Sequence, residues 1–219
     1  MTGTRPSNSG PSVRRRAAIV DAARHLLREH DVDGLTIPDV AATAGVSVAT
    51  VYNLVGTRDQ VLLAVVDETV LEVERLVDAS LPGVDGCLSI LAAGGEVILS
   101  DPVAHRRALG ALGAMTPGLW LGTGLAALLG QWADGALTDG TLTGRPATDA
   151  VVDLLLYGYR GVLISWVFGL VHDEDLATLI TRQALHVLSD AVSEDDRPAL
   201  LERLDRLDEP SGTAERIPA

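Results

Sequence analysis

Hydrophobic residues recur every three or four positions along nearly the whole chain, which is the spacing of one face of an α-helix. Near the N-terminus Ile19, Ala23 and Leu27 share such a face, while Arg24 and Arg28 lie opposite. Further apolar runs of helical length follow at residues 84–100, 102–114, 118–137, 148–171, 174–192 and 196–207. No two runs of alternating apolar and polar residues are joined by a hairpin dipeptide. The pattern therefore predicts an all-α fold of nine or ten helices.

Two short helices are predicted between residues 36 and 54. Thr36 and Asp39 have the spacing of a capping box, and Gly45 suits the sharp turn after the first short helix. Ser47 then has the character of an N-cap for the second. Helices this short need support from longer neighbours. The arrangement predicts a helix-turn-helix whose second helix presents one face outward.

The composition of the segments predicts how the chain is divided. Residues 1–12 and 208–219 are rich in Pro, Gly and polar residues and are expected to be disordered tails. Residues 13–60 hold the three-helix motif. Residues 61–207 form a larger helical body, which begins within a long helix expected over residues 58–79.

Charge is distributed unevenly between these parts. The net charge is −13, and all 17 basic residues are Arg. Residues 1–60 hold seven Arg against six acidic residues, whereas residues 61–219 hold ten Arg against 24. This asymmetry indicates a small end that can face a polyanion and an acidic body.

Other classes of protein fit the sequence poorly. Cys87 is the single cysteine, which excludes an internal disulfide and favours a reducing, cytoplasmic location. The charge-free run over residues 108–133 contains Pro117 and six Gly, so a buried pair of helices is favoured over a membrane span. The five histidines show no metal-ligand spacing, and no nucleophile elbow or phosphate loop is present. We expect no enzymatic activity and no cofactor.

The segment from Thr36 to Gln60 resembles the DNA-binding domain of the TetR family of bacterial transcriptional regulators. The resemblance rests on Thr36, on Ala44-Gly45-Val46-Ser47, on Thr50-Val51-Tyr52 and on Thr57-Arg58. Two positions depart from the family pattern, because Val55 stands where Phe is usual and Arg58 where Lys is usual. A weaker similarity covers residues 158–180 and the family's last two long helices, which form its dimer interface.

The exposed face and the resemblance together give a set of candidate DNA contacts. Small side chains permit close approach to a groove, and hydroxyl and amide groups bond phosphates or base edges. The plainer alternatives are that Thr36 and Thr57 are only helix caps and that Tyr52 is a half-buried aromatic. The arginine run ahead of the first helix is either a solvated basic segment or a group that reaches the adjacent minor groove. The candidates are Arg14, Arg15, Arg16, Thr36, Ser47, Val48, Ala49, Thr50, Tyr52, Asn53, Thr57 and Arg58.

The resemblance also implies a ligand cavity in the C-terminal body, for which the scarce aromatic residues are the first candidates. The alternative is that they are ordinary core. The candidates are Met115, Trp120, Gln131, Trp132, Tyr157, Arg160 and Trp166.

The expected function is that of a repressor released from its operator by a small molecule. Its partners would be double-stranded operator DNA, an apolar or amphipathic effector and a second copy of the chain, paired through residues 148–171 and 174–192, with no membrane. The alternative is an all-helical carrier or enzyme in which the helix-turn-helix is vestigial.

Overall fold

A computed structural model describes residues 9–78, 81–115, 123–143 and 148–208. These residues form ten α-helices and one 3-10 turn, with a single isolated antiparallel bridge between Leu142 and Val192. The prediction of an all-α fold is confirmed. The helices are α1 (Ser9–Glu29), α2 (Ile37–Thr43), α3 (Val48–Leu54), α4 (Arg58–Leu76), α5 (Gly83–Ser100), α6 (Pro102–Met115), α7 (Thr123–Thr138), α8 (Thr148–Val167), α9 (Asp173–Ser189) and α10 (Arg197–Asp208).

The first helix begins earlier than its apolar period. It starts at Ser9 rather than at Val13, so residues 9–12 of the expected N-terminal tail are helical. Pro11 is tolerated there because its missing N–H falls in the first turn, where backbone donors have no partner within the helix. The other tail residues, 1–8 and 209–219, lie outside the described residues.

The chain groups into two compact units. The N-terminal unit comprises Met1–Glu72 and Ser100–Leu121, and the C-terminal unit comprises Val73–Leu99 and Gly122–Ala219. The first part of α4 and the whole of α6 therefore belong with the N-terminal helices. The boundary at residue 60 expected from the sequence instead assigns α6 and most of α4 to the larger body. The partners that hold α6 are remote in sequence, so composition gives no sign of them.

Arg107 of α6 satisfies the C-terminal end of α1. Its guanidinium donates to the carbonyl oxygens of Leu27 at 2.9 Å, Arg28 at 3.3 Å and His30 at 2.9 Å. Carbonyls in the last turn of a helix have no partner within it. One arginine therefore replaces a local cap and fixes α6 to α1.

A buried polar pair joins α6 to α4 within the same unit. His105 is 2% exposed, and its Nε2 lies 3.0 Å from the Thr69 hydroxyl. The His105 Nδ1 lies 3.0 Å from the carbonyl oxygen of Asp101. Asp101 also pairs with Arg28 of α1 at 2.7 Å. Buried polar groups need such partners, so these bonds specify how α6 packs.

The C-terminal unit is built around the pair α8 and α9. The Trp166 side chain is fully buried and donates its indole N–H to Asp173 at 2.7 Å, which fixes the corner between the two helices. Tyr159 is buried against Gly94 of α5, and this burial raises the pKa of its phenol. A salt bridge from Arg203 to Asp85 holds α10 to α5.

Two helices are long and apolar enough to cross a membrane by length and composition alone. One is α5, of which 56% of the most apolar window is buried, and the other is α8, with 33% buried. Neither of these helices coincides with the charge-free run over residues 108–133. The burial of α5 is that of a core helix, whereas α8 leaves much of its apolar surface uncovered.

We predict that Gly94→Ala destabilises the protein, because the added Cβ would lie 2.5 Å from the buried Tyr159 hydroxyl oxygen. Overpacking of this kind typically costs about 1–3 kcal/mol. Gly135→Ala is the matched control, since its Cβ would meet nothing within 4 Å in the helix α7. That change should stabilise the helix by up to about 1 kcal/mol. Urea unfolding checks both, and equal midpoints for the two variants would contradict the prediction.

Candidate DNA-binding surface

The capping interactions predicted for the two short helices are present. The Thr36 hydroxyl accepts from the backbone N–H of Asp39 at 3.3 Å, and the Ser47 hydroxyl accepts from that of Thr50 at 3.1 Å. Between the helices Gly45 has a φ of 66°, a left-handed conformation that favours glycine. These local groups set where α2 ends and where α3 begins.

The helix α3 buries one side chain and exposes most of the rest. Val51 is fully buried, whereas Val48, Ala49, Tyr52 and Asn53 are exposed. Tyr52 is 54% exposed. An exposed face with a phenol, an amide and small side chains has the chemistry needed to contact phosphates and base edges.

Thr57 lies at the N-terminal end of α4, immediately after α3. Its backbone N–H donates to the Gln60 side chain at 2.8 Å, and its hydroxyl accepts from the Gln60 N–H at 3.5 Å. The predicted capping box is therefore formed. The N-terminal end of a helix attracts anions because its backbone N–H groups and its dipole point outward. The exposed Thr57 side chain is suitably placed for a phosphate.

Arg58 has a role that sequence analysis missed. Its guanidinium Nε donates to the carbonyl oxygen of Leu35 at 3.0 Å, and its Nη2 donates to that of Val32. Arg58 thus ties α4 to the 3-10 turn Val32–Gly34 and to the residue that follows it. The family pattern gives no hint of these contacts, since the carbonyls lie 26 and 23 residues away. Contact of Arg58 with a phosphate stays a prediction.

A family model agrees with this geometry. Residues 19–65 match the model described as bacterial regulatory proteins of the tetR family. The N-terminal domain belongs to the TetR family. The match covers α2, α3 and parts of α1 and α4, and the chain therefore carries the DNA-binding domain of a bacterial transcriptional regulator. No curated protein matches the sequence.

Solved structures, a tetR regulator among them, share the fold over most of the chain. The native TylP regulator of Streptomyces fradiae is 21% identical, with 90% of this chain and 96% of that chain covered and a TM-score of 0.59. A protein described in terms of the control of antibiotic production by bacterial hormones is 19% identical, with 81% and 97% covered and a TM-score of 0.63. A γ-butyrolactone receptor is 17% identical, with 92% and 100% covered and a TM-score of 0.58. At these identities the likeness establishes the fold.

The arginine run lies inside α1 rather than ahead of it. Because α1 begins at Ser9, Arg14, Arg15 and Arg16 are helical, and the placement of this run before the first helix is wrong. Arg14 and Arg15 are exposed, while Arg16 is half-buried. Contact of these side chains with DNA stays a prediction.

The candidate ligand residues separate into different environments in this TetR-type fold. Gln131 and Trp132 line a cavity of about 280 Å³ in the C-terminal unit. Trp166 is core, as its burial and its bond to Asp173 indicate, and Tyr157 is 63% exposed on α8, where Arg160 is half-buried. The Met115 side chain and the whole of Trp120 lie outside the described residues.

We predict that Arg58→Ala lowers the stability of the TetR-family domain, because it leaves two carbonyl groups without their donor. A lost hydrogen bond to a charged group costs about 1.5–3 kcal/mol. Arg15→Ala is the control, since Arg15 is exposed and has the same charge. Thermal unfolding checks the comparison. Arg58→Ala could instead leave stability unchanged and reduce the slope of log affinity for DNA against log salt concentration by about 1. That result would show that Arg58 contacts a phosphate.

Proposed function

We propose that the protein is a homodimeric repressor that binds operator DNA through α3 and releases it when a small molecule occupies the C-terminal unit. The observation that carries the proposal is the exposed face of α3, which is presented by a capped helix-turn-helix that matches the family model. A helix-turn-helix reads DNA by placing its second helix in the major groove. Ser47 and Thr50 open α3 at the end that would enter the groove first.

Dimerisation is supported by an apolar stripe that runs along α8 to Phe168, the residue after its end. Leu154, Tyr157, Ile164 and Phe168 are 49%, 63%, 41% and 75% exposed and follow each other at helical spacing. Gly161 lies in the middle of this stripe, and a Cβ there would meet nothing within 4 Å, so another helix can approach closely. A second copy of the same face would bury the stripe in an isologous interface. A dimer also presents two recognition helices, separated by about 34 Å when they read one face of DNA.

Control by a ligand is supported by the course of α4 and by relatives of similar fold. The helix begins at Arg58, beside α3, and the two residues after its last one, Val77 and Asp78, line the cavity of the C-terminal unit. A ligand that prefers the conformation with low DNA affinity by a hundredfold would supply about 2.7 kcal/mol of coupling. Two structural neighbours are described as a γ-butyrolactone receptor and in terms of bacterial hormones, which favours a small-molecule signal.

DNA recognition gives the first test. A preferred sequence selected from random duplexes is compared with an unrelated duplex by fluorescence anisotropy. We expect Tyr52→Phe to weaken the affinity for both duplexes by the same factor, because phosphate contacts carry no sequence information. Asn53→Ala should reduce the preference for the selected sequence over the unrelated duplex. The loss should be about 1–3 kcal/mol if Asn53 makes a bidentate base contact. Thr138→Ala, on the exposed surface of α7, is the control. Absence of salt-dependent DNA binding by the unaltered protein would favour the carrier or enzyme alternative.

Oligomeric state gives the second test. We expect the protein to sediment as a dimer at micromolar concentration and Ile164→Glu to sediment as a monomer, because the change places a charge in the middle of the apolar stripe. Leu201→Glu on α10 is the matched control, with 47% exposure against 41% for Ile164, and it should remain dimeric. A monomeric unaltered protein, or a dimeric Ile164→Glu variant, would contradict the proposed interface.

A further inference from the structure

We infer that the cavity beside the end of α4 binds a small organic cation with an apolar body. The inference rests on the proposed function, in which this unit holds the effector, and it adds the chemical class of the ligand. The cavity lies wholly within the C-terminal unit, between the segment that follows α4 and the helices α5 and α7. Its described lining is Val77, Asp78, Leu81, Gly86, Ile90, Leu128, Gln131 and Trp132.

The walls are mainly hydrocarbon, which favours a ligand with an apolar body. Leu81, Ile90 and Leu128 contribute aliphatic surface. The volume of about 280 Å³ is at the small end of the range for ligand sites, about 300–1,000 Å³. One aromatic ring with a small head group fits this volume.

The polar groups of the cavity favour a positive head group. Among the described lining residues, Asp78 is the only one with a formal charge. The indole N–H of Trp132 donates to the Gly83 carbonyl at 2.7 Å, so this donor is already used and Trp132 contributes its aromatic ring to the lining. An aromatic face attracts ammonium groups. Gln131 adds an amide that can donate or accept.

The surroundings point the same way. Counted on the sequence, the C-terminal unit holds eight Arg and 20 acidic residues, a net charge of −12, whereas the N-terminal unit holds nine Arg and ten acidic residues, a net charge of −1. A field of this sign raises the local concentration of cations and repels anions. Local chemistry and long-range field therefore select the same ligand class.

Two probes of the same shape isolate the charge. Phenyltrimethylammonium and tert-butylbenzene differ in one atom, a cationic nitrogen in place of a neutral carbon. Binding of each to the full-length protein without DNA is measured by ligand-observed NMR at two salt concentrations. We expect the cation to bind more tightly than the neutral probe and to lose part of this advantage at high salt. Equal or tighter binding of tert-butylbenzene, or no binding of either probe, would overturn the inference.

Variants place the charge effect at the cavity. Asp78→Asn keeps the shape of the side chain and should weaken cation binding about fivefold or more, the effect of one unit charge at contact distance in a water-like medium. Asp205→Asn on the exposed face of α10 changes the net charge equally but lies outside the lining, and it should leave binding nearly unchanged. A similar loss in both variants would mean that the general field, not this cavity, attracts the cation, and would overturn the site.

Operator binding separates this inference from the proposed function. Cation binding that follows the expected pattern but leaves operator affinity unchanged would keep the ligand class and reject the control of DNA binding by this cavity. If only the neutral probe released the operator, the control of DNA binding by a ligand would be kept and the cationic ligand class would be rejected.

Discussion

The length of the two helices of the DNA-binding motif is the constraint on which the rest of the structure depends. Both α2 and α3 have seven residues, and helices of this length are not stable alone in water. They persist because Ile37, Val40, Ala41 and Val51 are buried among the N-terminal helices, and because hydroxyl caps begin each helix. With its single fully buried residue committed to the core, α3 has one available orientation, and its opposite face must be solvent-exposed.

Arginine side chains make many of the long-range hydrogen bonds to backbone carbonyl groups, in a chain that has no lysine. Arg107 donates to the end of α1, Arg58 to the turn before α2, Arg197 to the Ser189 carbonyl at the end of α9, and Arg182 to the Leu207 carbonyl near the end of α10. A guanidinium has five N–H donors in a fixed plane and can serve several carbonyls together, which an ammonium group does less well. Long arginines thus donate to carbonyl groups at or near the C-terminal ends of α1, α9 and α10, whereas left-handed glycines follow α2, α3, α7 and α8.

Local sequence signals predicted local structure well. The capping residues Thr36, Ser47 and Thr57 and the turn at Gly45 could be identified because each acts within three or four residues of its own position. The all-α class followed from apolar spacing alone. These features need no knowledge of which helices meet in space.

The functions of individual side chains were harder to predict where partners are distant. Arg58 was assigned to phosphate by resemblance, but its carbonyl partners lie more than 20 residues away. Trp166 and Tyr157 are nine residues apart on α8, and only packing shows that one is fully buried and the other exposed. Neither apolar periodicity nor scarcity of aromatic residues separates a cavity wall from a core or from an interface.

The acidity of the C-terminal unit makes ionic strength act on the proposed repressor in two opposite ways. Pairing two units that each carry a net charge of −12 brings like charges together, and added salt relieves that repulsion by shortening the screening length to about 10 Å at 0.1 M. Added salt weakens DNA binding, since cations no longer gain as much by leaving the phosphates. For a homodimeric repressor, assembly and DNA binding would therefore favour different ionic strengths, and occupancy of an operator at low protein concentration would pass through a maximum between them.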